Sequence, residues 1–107
     1  MAMLFHVTMT HTADNCPAYQ TERAPEAMAS LEKLEERGKE LNVKAHALLW
    51  AAPDHVGFAV LEADDLGAIG RYLNSIAITQ EFKITPVQNV SDVVAFGKAA
   101  AMARVKK

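Results

Sequence analysis

The chain has one cysteine, Cys16, in 107 residues, so no intrachain disulfide can staple it. Neither sign of charge dominates. Eleven Lys and Arg stand against thirteen Asp and Glu, a formal charge of −2, and no basic field marks a nucleic-acid partner. No apolar run reaches the roughly 18 residues of a membrane helix, so no membrane partner is expected. Residues 1–10 carry no Lys or Arg and soon meet His11, Asp14 and Asn15, which argues against an export signal. With one cysteine, that predicts a cytoplasmic location. Glycines are few, and Gly57, Gly67, Gly70 and Gly97 fit neither the phosphate-loop nor the dinucleotide pattern. Linkers, repeats and low-complexity stretches are missing too.

What is present is a globular balance, 50% apolar and 22% charged, with length for one domain, residues 1–107. Met3, Phe5, Val7 and Met9 alternate with Leu4, His6 and Thr8, which predicts a strand over 2–9. Residues 10–20 show no period and read as a long loop holding His11, Cys16 and Pro17. Ala24, Ala27, Met28, Leu31, Leu34 and Leu41 then recur at helical steps, with Gly38 on the same stripe, predicting one helix over 24–41. Gly38 points to a close approach of helix and sheet. Alternation resumes over 43–51. The stretch 56–63 is apolar on both faces, which predicts a central strand. A helix over 65–76 is capped by Asp64 or Asp65. A strand over 81–87 carries Pro86, which favours an edge. Ser91 caps a last helix over 92–104, whose negative end suits the basic tail Arg104, Lys106 and Lys107.

The order βαββαβ plus a C-terminal helix predicts an α+β, ferredoxin-like fold, a four-stranded antiparallel sheet with helices on one face. By parity, Leu4, His6, Leu48 and Trp50 lie opposite Phe5 and Val7, on the face without helices. A second copy packed there would keep those side chains from water. Leu49-Trp50, the run from Val56 to Asp65, and Phe82 to Val87 resemble the dimeric α/β-barrel superfamily, and are most similar to its small GYD-like members. The likeness extends over about residues 3–95. It implies strand order 4-1-3-2 and a homodimer whose two sheets enclose a cavity. Its relatives include cofactor-independent monooxygenases, haem-degrading enzymes, isomerases, and metal- or ligand-binding proteins. The segment 11–16 has no counterpart in the better-known enzymes.

His6, His11, Cys16, His46 and His55 are the only His and Cys residues. Imidazole nitrogen and thiolate sulfur are ligands for Zn, Cu and Ni rather than for Mg or Ca. A metal set of His6, His11 and Cys16, joined by His46, follows if the loop after the first strand folds back over the barrel mouth. Leu4, Thr8, Leu48 and Trp50 then line a small-molecule pocket beside it. His55, in a turn, is expected to be exposed and outside the site. Each residue also has an ordinary explanation: a strand histidine can simply hydrogen-bond, a lone cysteine can pack as a small hydrophobe, and Trp50 can fill the barrel. The expected function is a homodimeric binding protein holding a transition metal. The alternative is a cofactor-independent monooxygenase or isomerase with His6 or His46 as general base.

Overall fold

A computed structural model describes residues 2–105. Four strands, β1 (Met3–Thr10), β2 (Lys44–Ala51), β3 (Val56–Ala63) and β4 (Glu81–Val87), form one sheet in the order β2-β3-β1-β4. Every pairing is antiparallel. Helices α1 (Ala24–Glu32), α2 (Leu34–Leu41), α3 (Leu66–Asn74) and α4 (Val90–Val105) complete the chain. The arrangement is α+β and compatible with a ferredoxin-like fold. No helix among the described residues is long and apolar enough to cross a membrane.

The alternating pattern of β1 places Phe5, Val7 and Met9 under the helices, all buried. Ala59, Leu61 and Ala63 of β3 join them, as do Ile69, Tyr72 and Leu73 of α3. Asp65 starts α3 by accepting a hydrogen bond from the Ala68 amide at 2.7 Å. That satisfies one of the four amides every helix start leaves unpaired. Pro86 lies on the edge strand β4, which pairs only with β1.

The expected single helix over 24–41 is two helices. The chain breaks at Lys33, whose amide is shared between the Ala29 and Leu31 carbonyls. Nearby, the Ser30 hydroxyl donates to the Ala27 carbonyl and accepts from the Ala77 amide at 2.9 Å, tying α1 to the segment after α3. α2 ends at Asn42, which takes the left-handed conformation that Asn tolerates, at φ 57°. Gly38 serves this reversal. A Cβ there would lie 2.6 Å from the Val43 carbonyl oxygen and 3.4 Å from the Tyr72 ring. The close approach is therefore to the chain entering β2 and to α3.

The parity of β2 differs from the alternating reading. Ala45 pairs with Leu61, but Ala47 pairs with Val60, so His46 is an extra residue in a β-bulge. From Ala47 onward every side chain changes face. Leu48 and Trp50 pair with Ala59 and Gly57 and share the helix side with Phe5 and Val7, not the open side with Leu4 and His6. The open face carries Leu4, His6 and Thr8 with Leu49, Phe58 and Val60.

α4 begins at Val90, ahead of Ser91, with the Asn89 carbonyl accepting the amides of Asp92 and Val93. None of its residues is buried. It stands off the body, and the molecule extends 66 × 30 × 17 Å. Lys106 and Lys107, expected to serve the negative end of this helix, lie outside the described residues.

Candidate metal site and the groove behind it

The antiparallel pairings decide which polar residues meet. Thr10, the last residue of β1, pairs with Val56 at the start of β3 and with Glu81 at the start of β4. His11, His55 and Gln80 each lie one residue beyond those partners, at one end of three adjacent strands. The His11 amide donates to the His55 carbonyl at 3.2 Å, pinning the loop after β1 to the β2–β3 hairpin. Cys16 closes the 3-10 turn Ala13–Asn15, its amide bonded to the Ala13 carbonyl, and this turns the loop back toward the sheet.

One ring nitrogen each of His11 and His55 and the Cys16 sulfur all lie within 4.8 Å of one another. Cys16 is buried, and His11 is only 8% exposed. His11 Nε2 and His55 Nδ1 are 3.3 Å apart and share one hydrogen bond. His11 Nδ1 is out of solvent and has no partner among the described residues. Leaving such a group unpaired costs about 1–3 kcal/mol. Burial first, and the nearby His55 second, lower the His11 pKa from its ordinary 6.5. The ring is therefore held neutral, the form that binds metal.

Trp50 forms the floor beneath His11. The two rings stack with centroids 5.1 Å apart and planes 10° from parallel. The indole lies across Gly57, where a Cβ would come within 2.6 Å of the ring. A glycine in this central strand thus lets an aromatic from the edge strand lie flat on it. His55 meets His11 edge-on at 5.1 Å, and Tyr19 lies 5.5 Å from His55. His55 itself has φ 54° and ψ 40°, the left-handed region. For a residue other than glycine this strain costs on the order of 1 kcal/mol and clusters at functional sites.

Cys16 and His55 open onto a groove of about 690 Å³ between α1, the loop after β1, and the β2 side of the sheet. Met9, Met28, Leu31, Leu34, Leu48 and Trp50 supply apolar walls. Met28, Leu31, Leu48 and Trp50 are exposed there, because α1 stands away from the sheet. Gln80 also lines the groove, with both polar atoms of its side chain out of solvent and without a partner among the described residues.

The structure brings together two of the four metal candidates, His11 and Cys16, and adds His55, which had been expected to be exposed and uninvolved. His55 is partly buried, because the turn that carries it folds against the end of β1. His6 lies mid-strand on the open face, its ring 6.2 Å from that of Phe58. His46 lies at the bulge and pairs with Glu62 at 2.9 Å. Neither lines the groove. Of the pocket candidates, Leu48 and Trp50 line it, whereas Leu4 and Thr8 belong to the open face. Gln80 escaped notice because a lone glutamine before a strand carries no pattern. The pairing of the first and third strands held the signal for His55, since it sets the start of one beside the end of the other.

No curated protein matches the chain. Residues 3–101 match the family described as "Domain of unknown function (DUF3303)", and the chain belongs to that family.

Proposed function

We propose that this protein is a homodimeric binding protein that holds a transition metal between His11, Cys16 and His55 at the mouth of its apolar groove. The observation that carries the reading is the convergence of one sulfur and two imidazole nitrogens within 4.8 Å from two separate chain segments. The 3.3 Å approach of His11 Nε2 to His55 Nδ1 supports it, because it already holds the two imidazoles side by side. Two nitrogens and a sulfur suit Zn, Cu or Ni. Three protein ligands leave a fourth position free for water or a bound molecule, and Cys16 and His55 border the groove where such a molecule would lie.

The dimer rests on surfaces left without cover. Leu4, Leu49, Phe58 and Val60 share the open sheet face with His6. The likeness to the dimeric α/β-barrel superfamily supports two such faces packing together. Apolar residues lie all round α4, with Val90, Phe96, Met102 and Val105 each more than half exposed. A helix of that kind belongs against another surface.

Titration of the chelator-treated, tag-free protein with Zn²⁺, Cu²⁺, Ni²⁺ and Co²⁺ tests the metal reading. One equivalent should bind, and Co²⁺ should show a thiolate charge-transfer band that Cys16→Ser abolishes. No binding of any of the four ions would end it. Sedimentation at micromolar concentration should give twice 11.7 kDa, and a stable monomer would remove the dimer.

A further inference from the structure

The single copy leaves too much surface in water for its size. A compact chain of 11.7 kDa exposes about 5,900 Å² and has a radius of gyration of about 13 Å. This one exposes 7552 Å², and its radius of gyration is 17.7 Å. The excess, roughly 1,700 Å², is about what each partner of an obligate homodimer buries. Two parts of the molecule contribute to it. One is α4, none of whose residues is buried. Its charged residues, Asp92, Lys98 and Arg104, recur every six positions, which distributes them evenly around the axis and leaves no polar side. A helix of that kind is buried in its working state. The other is the groove. Among the described residues its lining has no Lys, Arg, Asp or Glu, and Met28, Leu31, Leu48 and Trp50 are exposed in it. We infer that α4 is an arm exchanged between two copies of this chain, each helix lying in the groove of the other copy and closing it beside Cys16 and His55.

The arm is badly placed to fill its own groove. α4 leaves from β4, at the sheet edge opposite β2, after only Gln88 and Asn89. It leaves at the end where Val87 pairs with Leu4, whereas His11 and His55 lie at the other end. α3 packs over the strands between. When two open faces pack with the two-fold axis along the strands, the β4 edge of one copy overlies the β2 edge of the other. The arm then starts beside the partner's groove. Its sixteen residues span about 24 Å, close to the length of the eight-residue β2. Val93, Phe96 and Ala100 share one side of it, at the three- and seven-residue spacing with which helices anchor in apolar grooves. Phe96, 77% exposed in the single copy, is the principal anchor.

This inference rests on the dimer reading and not on the metal, so chelator-treated protein tests it. Phe96→Lys in α4 and Met28→Glu in the groove each break one half of the seat, and Leu31→Glu repeats the second. All three residues are exposed in the single copy, so the body should still fold. In sedimentation each variant alone should associate at least about thirtyfold more weakly than the unaltered chain, the effect of losing one interface anchor. Mixed in equal amounts, an α4 variant and a groove variant should associate again, because an intact α4 then meets an intact groove on the other chain. Trp50 is the only tryptophan and lines the groove, so its emission should shift to longer wavelength in either variant and return in the mixture. A mixture that recovers neither association nor emission would overturn the exchange. A dimer whose association and Trp50 emission both ignore Phe96→Lys would overturn the arm and keep the sheet-to-sheet pair. A monomer would remove dimer and arm together, and Trp50 emission that responds to Phe96→Lys at every dilution would place α4 on its own body. A monomer that binds phosphatidylcholine–phosphatidylglycerol vesicles, and loses them with Phe96→Lys, would overturn the inference in favour of a membrane surface.

Discussion

Two sets of histidines occupy this small sheet, and their surroundings are opposite. His11 and His55 sit at the strand ends beside Cys16, with a buried ring nitrogen and a lowered pKa at His11 and a left-handed backbone at His55. His6 and His46 sit on the open face, within or beside regular strand pairing, and His46 has an exposed carboxylate for a partner. Strain and unpaired buried atoms collect at the first set only. Those are costs that a fold keeps where a bound group repays them, whereas nothing about the second set exceeds ordinary strand chemistry.

The largest expected effect breaks that contrast directly. His11→Ala, Cys16→Ser and His55→Ala should each weaken metal binding by at least about tenfold, since each removes one of three protein ligands. His6→Ala and His46→Ala should leave it unchanged. Isothermal titration with Zn²⁺ measures all five. A loss at His6 equal to that at Cys16 would return the site to the open face.

Next in size is Gly57→Ala. The added methyl would lie 2.6 Å from the Trp50 ring and 3.1 Å from the Met9 methyl, so the indole must lift. Overpacking of this kind costs about 1–3 kcal/mol. The His11 ring stacks on that indole, so metal affinity should fall together with the urea midpoint. Unchanged Trp50 emission and midpoint would show that the indole does not need Gly57 beneath it.

These two tests also separate what the sequence carries from what it conceals. Apolar residues on both faces of 56–63 predict a central strand, and β3 is central. Pro86 predicts an edge, and β4 is an edge. Such features are local, and periodicity and backbone chemistry reveal them. The bulge at His46 is not local. Ala45-His46-Ala47 carries no glycine or proline, and strict alternation runs through it without a mark. It becomes visible only when Ala45 and Ala47 are paired with adjacent residues of β3. One extra residue moved Leu48 and Trp50 from the open face to the groove, so the pocket composition could not be read from parity. The loop's return was legible in its length and its His and Cys content. The partner it meets depends on strand pairing, which unites residues 11 and 55.

A smaller effect concerns pH. The folded protein holds His11 neutral because burial, and then His55, lower its pKa, whereas the unfolded chain protonates it near 6.5. Between the lowered value and 6.5 the unfolded state binds the extra proton. Stability of the metal-free protein is therefore full above pH 6.5 and is lost as pH falls through the folded value. Urea midpoints measured from pH 7.5 downward should decline across that window. His11→Phe keeps the ring stack but removes the titration, and it should flatten the decline. A midpoint that rises on acidification would contradict the buried, neutral assignment.

The smallest effect lies on the open face. His46 Nε2 and Glu62 Oε1 are 2.9 Å apart, but both side chains are more than a third exposed. Water screens such a pair, and exposed ion pairs contribute between nothing and about 1 kcal/mol. The imidazole is also charged only when protonated. Glu62→Gln should therefore shift the urea midpoint of the isolated protomer by a few tenths of a kcal/mol at most. It should leave metal affinity untouched. A second copy packed on this face would change the expectation, because the same pair would then lie at or near an interface and lose its solvent screening. Measuring Glu62→Gln at concentrations on either side of the dimer dissociation constant separates the two situations. A negligible effect in the monomer and a larger one in the dimer would place Glu62 at the interface. An effect of equal size in both would put the sheet-to-sheet contact elsewhere.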